Sequence, residues 1–457
     1  MRTWIIPFAL LVTMTAPAAE MDRPLAVRSR TETAAAPFRS QILGSLDRAV
    51  GSGINLGVRT IAARPGDKGS LELDLAGDGK WRTITRPGPI QVVLSKPGTK
   101  PNSTDKVTFT LHLDVDATKS WTYRNNTVVV LGIGPDQVVL VDVNGNGAYN
   151  DAGIDGCAWL GDDRLWPLPG SDERWCTKSA EVAGLTIGAW GEDAKATGRS
   201  LATTLPATLP LLRNIHDERR KLGLTPRPED AKLAADLQKH CDYMSTNDQL
   251  THPEDKGKSG YTPEGHAAGM RSIISMGTPA ESIASMMVTT FYHRQDVIRP
   301  LTAGFGVGFQ GKYGGIDGRT NMLKGRKVTW PLLCPDVEQV DVPTRFSPES
   351  PDPVGGDKDA GFPITAYFDG KAQRLTSSRL SLVVNGQAGP PVDCYTFDST
   401  TGGDVSMNKY QKVVALIAKE PLKDAAVYEV AMTVDDGGTT WSKTWRFATV
   451  GAAKRRR

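Results

Sequence analysis

Apolar and polar positions alternate along most of this chain, and the period of the alternation changes twice. From about residue 51 to 195 the period is two. "KVTFTLHLDVD" alternates residue by residue, and "NTVVVLGIG" and "QVVLVDVN" are short apolar runs set between Gly, Pro and Asn. A period of two sends successive side chains to opposite faces of a strand, so a mostly β domain is expected here.

From about 205 to 330 the period lengthens to that of a helix. "TLPATLP" leads into Leu212, Ile215 and Leu222 along one helical face, with Gly223 placed to stop the helix. After "TPRPED", Leu233, Leu237, Cys241 and Met244 recur at helical spacing. A third helix is read from "TPAESIASMMVTTFYH", with Thr278 as N-cap, Pro279 at the first helical position and Glu281 completing a capping box. Ile283 and Met286 or Met287 give its apolar face, and His293-Arg294 stands at its exit. "GFGVGFQG" and "RKVTWPLL" then read as strand pieces. From about 340 to 450 the period returns to two in "PITAYFDG", "LSLVVNG", "KVVALIAKEPL", "VYEVAMTVDDGG" and "WSKTWRFATV", which predicts a small β-sandwich. "SPESPDPVGGDKDAG" before it reads as a Pro/Asp/Gly hinge.

Length and charge narrow the class. A chain of 457 residues suits two to four domains. A net charge of +3 supplies no strong field for nucleic acid, and none is expected as partner. Residues 1–18 read as a signal peptide: Arg2, the apolar run "WIIPFALLVTM", then Ala16-Pro17-Ala18 as a small-x-small cleavage site. The expected location is secreted or extracytoplasmic, in the periplasm or at the cell surface, with no transmembrane anchor after cleavage. Residues 19–50 read as a linker and 451–457 as a solvated basic tail.

The chain has five cysteines. Cys157 and Cys176, in one loop-rich region, are the disulfide candidates; Cys334 and Cys394 are a second conceivable pair. Cys241 reads as a small buried core residue.

"DVNGNGAYNDAGID" (142–155) opens like a calcium loop. Asp142, Asn144 and Asn146 stand at the alternating oxygen-donor positions, Gly147 at the sharp turn and Asn150 at a later ligand position. Gly153 occupies the place of the closing glutamate, so Asp151 or Asp155 would have to close the shell. The competing reading is an Asn-Gly turn between strands.

Five of six histidines, His216, His240, His252, His266 and His293, fall between 216 and 293; the sixth is His112. His216 and His240 lie in helical stretches and read as surface or structural groups. His252 and His293 sit where a loop can turn the ring into a cleft. "LLRNIHDERRKLGL", "LAADLQKHCDYMSTNDQLTHPED", "YTPEGHAAGM" and "TPAESIASMMVTTFYHRQDVIRPLTAGFGVGF" occur in that order. Together they resemble the CAP superfamily of cysteine-rich secretory, antigen and pathogenesis-related proteins, in its bacterial SCP-like branch, over about 205–312. The segment from about 340 resembles the bacterial Ig-like modules that follow such domains.

The resemblance implies a central α-β-α sandwich with a cleft. Carried over by position, His252, Glu264 and His293 line it, while a second acid would fall near Thr289, which is not acidic. Two imidazoles and a carboxylate suit zinc or another divalent metal with a water in the fourth position. Arg294 is expected to pair with a local carboxylate or chain end. Three functions compete. The first is a non-catalytic cleft binding a small, lipid-like ligand or a cell-envelope component. The second is a metal-dependent envelope hydrolase using His252 and His293, and the third an adhesion or matrix protein with this domain as scaffold.

Overall fold

The computed structural model describes residues 26–30, 48–56, 60–95, 106–116, 119–125, 128–133, 136–144, 146–152, 155–159, 165–188, 195–201, 210–326, 328, 330–355, 359–370 and 372–451. Residues 1–18, expected to be a signal peptide, and residues 452–457 of the expected basic tail lie outside the described residues, as does Gly153.

The β-rich stretch is two sandwiches rather than one domain. In chain order its strands are β1 (Ala26–Arg30), β2 (Arg48–Ala49), β3 (Gly53–Asn55), β4 (Thr60–Pro65), β5 (Leu71–Asp74), β6 (Arg82–Ile84), β7 (Gly88–Ser95), β8 (Lys106–Val115) and β9 (Trp121–Asn125). They continue with β10 (Val128–Ile133), β11 (Asp136–Val141), β12 (Gly156–Trp159), β13 (Trp166–Pro167), β14 (Arg174–Cys176), β15 (Glu181–Gly188) and β16 (Lys195–Leu201). Sheets β3-β4-β5-β6 and β2-β9-β8-β7 close on one core that includes Ile54, Leu73, Phe109 and Leu111. Sheets β1-β10-β11-β12-β13 and β14-β15-β16 close on another, with Leu131, Leu140, Trp166 and Trp175. The alternation in β4, β7 and β15 buries every second residue over much of each strand, as a half-buried strand requires.

This layout corrects the linker expected at 19–50. Ala26–Arg30 pairs antiparallel with β10, and Arg48–Ala49 pairs with β9. Alternating strand hydrogen bonds need no apolar side chains, so the Arg-rich segment gave no hydrophobic signal for its pairing.

The central region holds α1 (Pro210–Lys221), α2 (Ala231–Asn247), α3 (Pro263–Arg271), β17 (Ile273–Met276), α4 (Ile283–Val288), α5 (Arg294–Ile298), β18 (Gly306–Gln310) and β19 (Tyr313–Asp317). Leu233, Leu237, Cys241 and Met244 are all buried on α2, and Asp230 caps it by accepting the Lys232 and Leu233 amides. The antiparallel sheet β17-β19-β18 lies between α2 and α4: Gly306, Gly308 and Gly315 face Leu233 and Leu237, while Gly314 faces Ile283. That is the expected three-layer α-β-α order.

The C-terminal region contains β20 (Leu332–Cys334), β21 (Ile364–Tyr367), β22 (Gln373–Val384), β23 (Gln387–Pro391), β24 (Cys394–Phe397), α6 (Val405–Gln411), β25 (Val413–Ala418), β26 (Val427–Asp436) and β27 (Thr439–Ala448). Its two four-stranded sheets, β20-β21-β25-β24 and β23-β22-β26-β27, share a core. That core does not stop at the module boundary. It runs on through Phe291, Met287 and Ile215 of the central region, with the Phe291 and Phe397 rings 5.0 Å apart.

The central region is also joined to the second sandwich. Glu173 holds two arginines, Arg227 at 2.7 Å and Arg326 at 3.0 Å, and both Glu173 and Arg227 are almost fully buried. The Arg220 guanidinium stacks over Trp159 at 4.1 Å.

All five cysteines are free thiols, which corrects the expected Cys157–Cys176 bridge. The two sit on β12 and β14, strands of different sheets, and burial pushes both thiols well up from their ordinary range. Among the described residues, no helix is long and apolar enough to cross a membrane.

Candidate functional site

The expected third helix breaks in two, and the break builds the site. Residues Ala280–Ser282 form a 3-10 turn in which the Ser282 amide reaches the Pro279 carbonyl, so neither Thr278 nor Glu281 makes the expected capping box. α4 follows, and Thr289 and Thr290 then turn their hydroxyls back onto the Met286 and Met287 carbonyls, each at 2.6 Å. Such back-bonding competes with continuation of a helix. The chain therefore leaves α4 at Val288 and re-enters a helix at Arg294.

The amides at this second start lack partners from a preceding turn. Glu349 supplies one carboxylate for three of them. Its oxygens accept from Phe291 at 2.5 Å, Tyr292 at 3.0 Å and His293 at 3.2 Å. The same carboxylate stands 2.7 Å from Nδ1 of His293. Glu349 is 1% exposed and His293 19% exposed, so the pair is sheltered but the imidazole still reaches solvent. Ser347 fixes the approach: its amide donates to the Thr289 carbonyl at 3.2 Å, and its hydroxyl lies 2.6 Å from Thr289 Oγ1, which can accept from it. The position near Thr289 carries no acid, as the sequence shows; the acid beside His293 comes from the hinge, 56 residues further along.

Arg294 turns the other way. It is fully buried, and it donates to the Thr290 carbonyl and, across the module boundary, to the Pro363 carbonyl, both at 2.6 Å. Its guanidinium lies 4.6 Å from the centre of the Phe362 ring. The expected carboxylate partner is not there; carbonyls and a ring take its place.

His252 and Glu264 occupy different ground. His252 is exposed, and its Nδ1 bonds the Gly269 carbonyl at 2.8 Å. Glu264 lies in the first turn of α3, half-exposed, 3.4 Å from Lys239. The group that holds this loop together is one the sequence reading missed. Glu254, buried, bonds His240 Nδ1 at 2.9 Å and accepts the Thr262 amide at 3.0 Å, while its own amide donates to His266 Nδ1 at 3.0 Å. Gly265 and Gly269, one turn apart on α3, make room for it: a Cβ at Gly265 would run into the Glu254 carboxylate, and one at Gly269 into the His240 ring. "HPED" beside two glycines at i and i+4 was the available signal. His216 and His240 are buried structural groups; burial pushes His216 down to about 4.

Among the described residues, no three His, Cys, Asp or Glu side chains converge as a metal-binding group. His252, Glu264 and His293 bond a carbonyl, a lysine and Glu349 respectively, and they do not form one ligand set.

The loop at 142–155 is knit by its own side chains. Asp142 accepts from the Asn146 and Gly147 amides and from Asn125 Nδ2 at 2.8 Å, which ties it to the first sandwich. The side-chain Nδ2 groups of Asn144 and Asn146 both donate to Asp151. Asp155 accepts from the Asp151 and Val143 amides. Burial, with the charges of Asp142 and Asp151 adding to it, pushes Asp155 up to about 7 against the backbone bonds that lower it. Asn150, the remaining expected ligand, is exposed, and its carbonyl accepts the Ala152 amide.

Residues 212–321 match the model of the CAP family, described as the cysteine-rich secretory protein family. No curated protein and no solved structure matches the chain.

Removal of the Glu349 carboxylate takes away the partner of three amides and of His293 Nδ1. Glu349→Ala is expected to lower the unfolding free energy by about 2–4 kcal/mol, and Glu349→Gln, which keeps one acceptor, by about half as much. Urea denaturation of the full chain reads both. Two variants indistinguishable from wild type would show that the pair is not structural.

Proposed function

We propose that the CAP domain at 212–321 serves, in an exported multidomain protein, as a non-catalytic binding domain for a small ligand or a cell-envelope component. The observation that carries this reading is how the polar groups are used. The Glu349 carboxylate is engaged by His293 and three amides, and Arg294 by carbonyls. What remains for a partner is the exposed His252 ring and the solvent-facing edge of His293. The C-terminal sandwich is read as an Ig-like spacer or presenting module.

The full chain, tested by co-sedimentation with isolated wall sacculi and with membrane vesicles, is expected to bind one of them. The His252→Ala/His293→Ala double variant should weaken that binding about tenfold or more. Soluble products released from sacculi by wild type, and not by the double variant, would replace this reading with the hydrolase. Binding unchanged in the double variant would move the contact to the β modules, as the adhesion reading requires.

A second reading concerns the loop at 142–155, which we propose as a calcium site. Among the described residues, its acids do not already converge as a ligand group. The support is charge: Asp142 and Asp155 are each 1% exposed, and Asp155 is pushed up to about 7 beside two other acids. A divalent cation held by oxygen donors would relieve that repulsion. The sign follows from proton binding. The folded state holds the Asp155 proton more tightly than the unfolded state, so stability falls as pH rises from about 4 to 7 and is flat above. The loss is on the order of 4 kcal/mol relative to an Asp155→Asn variant. Thermal midpoints across pH 4–8, with wild type and variant compared, read this slope. Millimolar calcium should raise the wild-type midpoint most near pH 8. A midpoint indifferent to calcium at pH 8 would remove the site.

A further inference from the structure

The sheet β2-β9-β8-β7 ends on a strand with a single neighbour. β7 pairs with β8 from Gly88↔Leu113 to Ser95↔Lys106, and no other described strand joins it. The register fixes which of its backbone groups face outward. Where β8 runs out, the Asp116 amide donates to the Ser120 carbonyl just before β9, so the even-numbered residues of β8 bond β9 and the odd-numbered ones bond β7. Leu113, Leu111, Phe109 and Val107 stand opposite Gly88, Ile90, Val92 and Leu94, which therefore turn their backbone groups toward β8. Pro89, Gln91 and Val93 turn theirs away from the sheet. The proline agrees with this, since a residue without an N–H is tolerated where no ladder bond needs one. Among the described residues, the backbone groups of Gln91 and Val93 have no hydrogen-bond partner.

Other edges of this protein are blocked. β27 carries Lys443 and Arg446, and the Glu338 and Val342 amides bond the Arg446 and Ala448 carbonyls at its end. On β18, the Gln238 side chain takes both the amide and the carbonyl of Phe309. Charge and covered backbone of this kind keep sheet edges from pairing. β7 has neither along Gln91 and Val93: its sequence, GPIQVVLS, is uncharged throughout. Ile90, Val92 and Leu94 are buried, whereas Pro89, Gln91 and Val93 are exposed, Val93 to 53%. The edge thus presents an apolar side chain beside unanswered backbone groups.

The missing charge also selects the partner. A strand built to meet a different protein gains from charge complementary to it. At a two-fold axis a strand meets its own copy, and any charge on it would stand near the same charge. We propose that β7 pairs antiparallel with β7 of a second copy of this chain, which joins two sheets edge to edge across a two-fold axis at Val92. In that register Gln91 of each copy stands opposite Val93 of the other. The two facing pairs each exchange both backbone bonds, about four bonds in all, and use every outward N–H and C=O of these residues. The exposed Val93 side chain then packs on the Gln91 stem across from it. A strand edge alone buries less than a standard interface, so the dimer is weak, with a dissociation constant on the order of 10 µM. The surface is separate from His252 and His293 and does not depend on the binding role proposed for them.

The test is sedimentation velocity of the full chain from about 1 to 200 µM. The mass is expected to rise from one chain to two and to stop there. Val93→Pro removes an outward N–H and leaves the bonds to β8 in place; Val93→Lys adds the charge that other edges carry. Both should weaken the dimer about tenfold or more, and Val93→Thr should keep it. If Val93→Pro fails to fold, Val93→Lys decides. Hydrogen exchange locates the contact: the Gln91 and Val93 amides should slow about fivefold between the dilute and concentrated wild type, and not in Val93→Lys. The His252→Ala/His293→Ala variant should dimerise as wild type does. A chain that stays single at the highest concentration, a dimer that survives in both edge variants, or growth beyond two copies overturns the proposal. Protection of Gln91 and Val93 already present at high dilution would assign the edge to another segment of the same chain, and overturns it as well.

Discussion

A guanidinium taken out of water costs several kcal/mol unless hydrogen bonds within the fold offset the loss. Arg294 is such a group, and the joint between the CAP domain and the C-terminal sandwich depends on it. One of its bonds stays within the CAP domain, at Thr290, and another crosses to Pro363. Around it the apolar core is continuous from Ile215 and Phe291 to Phe397 and Val413. Tyr292, Gln295 and Gln411 extend the joint with two further bonds, Gln295 Nε2 to the Gln411 carbonyl and Gln411 Nε2 to the Tyr292 carbonyl. A core shared in this way makes two sequence modules one packing unit.

The same device recurs at other seams. Arg219, fully buried on α1, donates to the carbonyls of Thr225, Val297 and Arg299, which binds the helix to the far end of its own domain. Arg227 and Arg326 meet Glu173 of the second sandwich. Between the two β modules, Asn125 meets Asp142. Each seam is closed by a directional polar contact rather than by apolar area alone. Such contacts set the geometry of a joint because a misplaced partner leaves a buried group unpaired. The His-Arg pair at 293–294 is thus a division of labour: one residue faces a sheltered carboxylate near solvent, the other locks the module behind it.

Legibility in the sequence followed the type of signal. α1 and α2 were read from apolar spacing, and Leu212, Ile215, Leu233, Leu237, Cys241 and Met244 are buried as that spacing requires. The C-terminal strands were legible as short apolar runs, buried throughout in β21 and β25, and as alternation in β26. The third helix was misread because its residues have helical spacing up to Val288, while the hydroxyls that end it act through backbone bonds that no hydrophobic pattern reports. Glu349 was invisible for a related reason. It lies in a Pro-rich segment that reads as a hinge, and its role exists only once the fold brings that segment against α4 and α5. β1 lacked an apolar pattern, and spacing along the chain does not report which buried thiols meet. The histidines were legible as a group, but their partners were not, since Glu254 and Glu349 are set by tertiary approach.

The central claim is that Arg294 makes the CAP domain and the C-terminal sandwich a single cooperative unit. Hydrogen exchange of the full chain, read by mass spectrometry at α2 and at β25 in wild type and Arg294→Met, tests it most directly. The account predicts that the opening free energies of both elements fall together, by about 3 kcal/mol, because one event exposes both sides of the joint. A fall confined to α2, with β25 protected as in wild type, would contradict it.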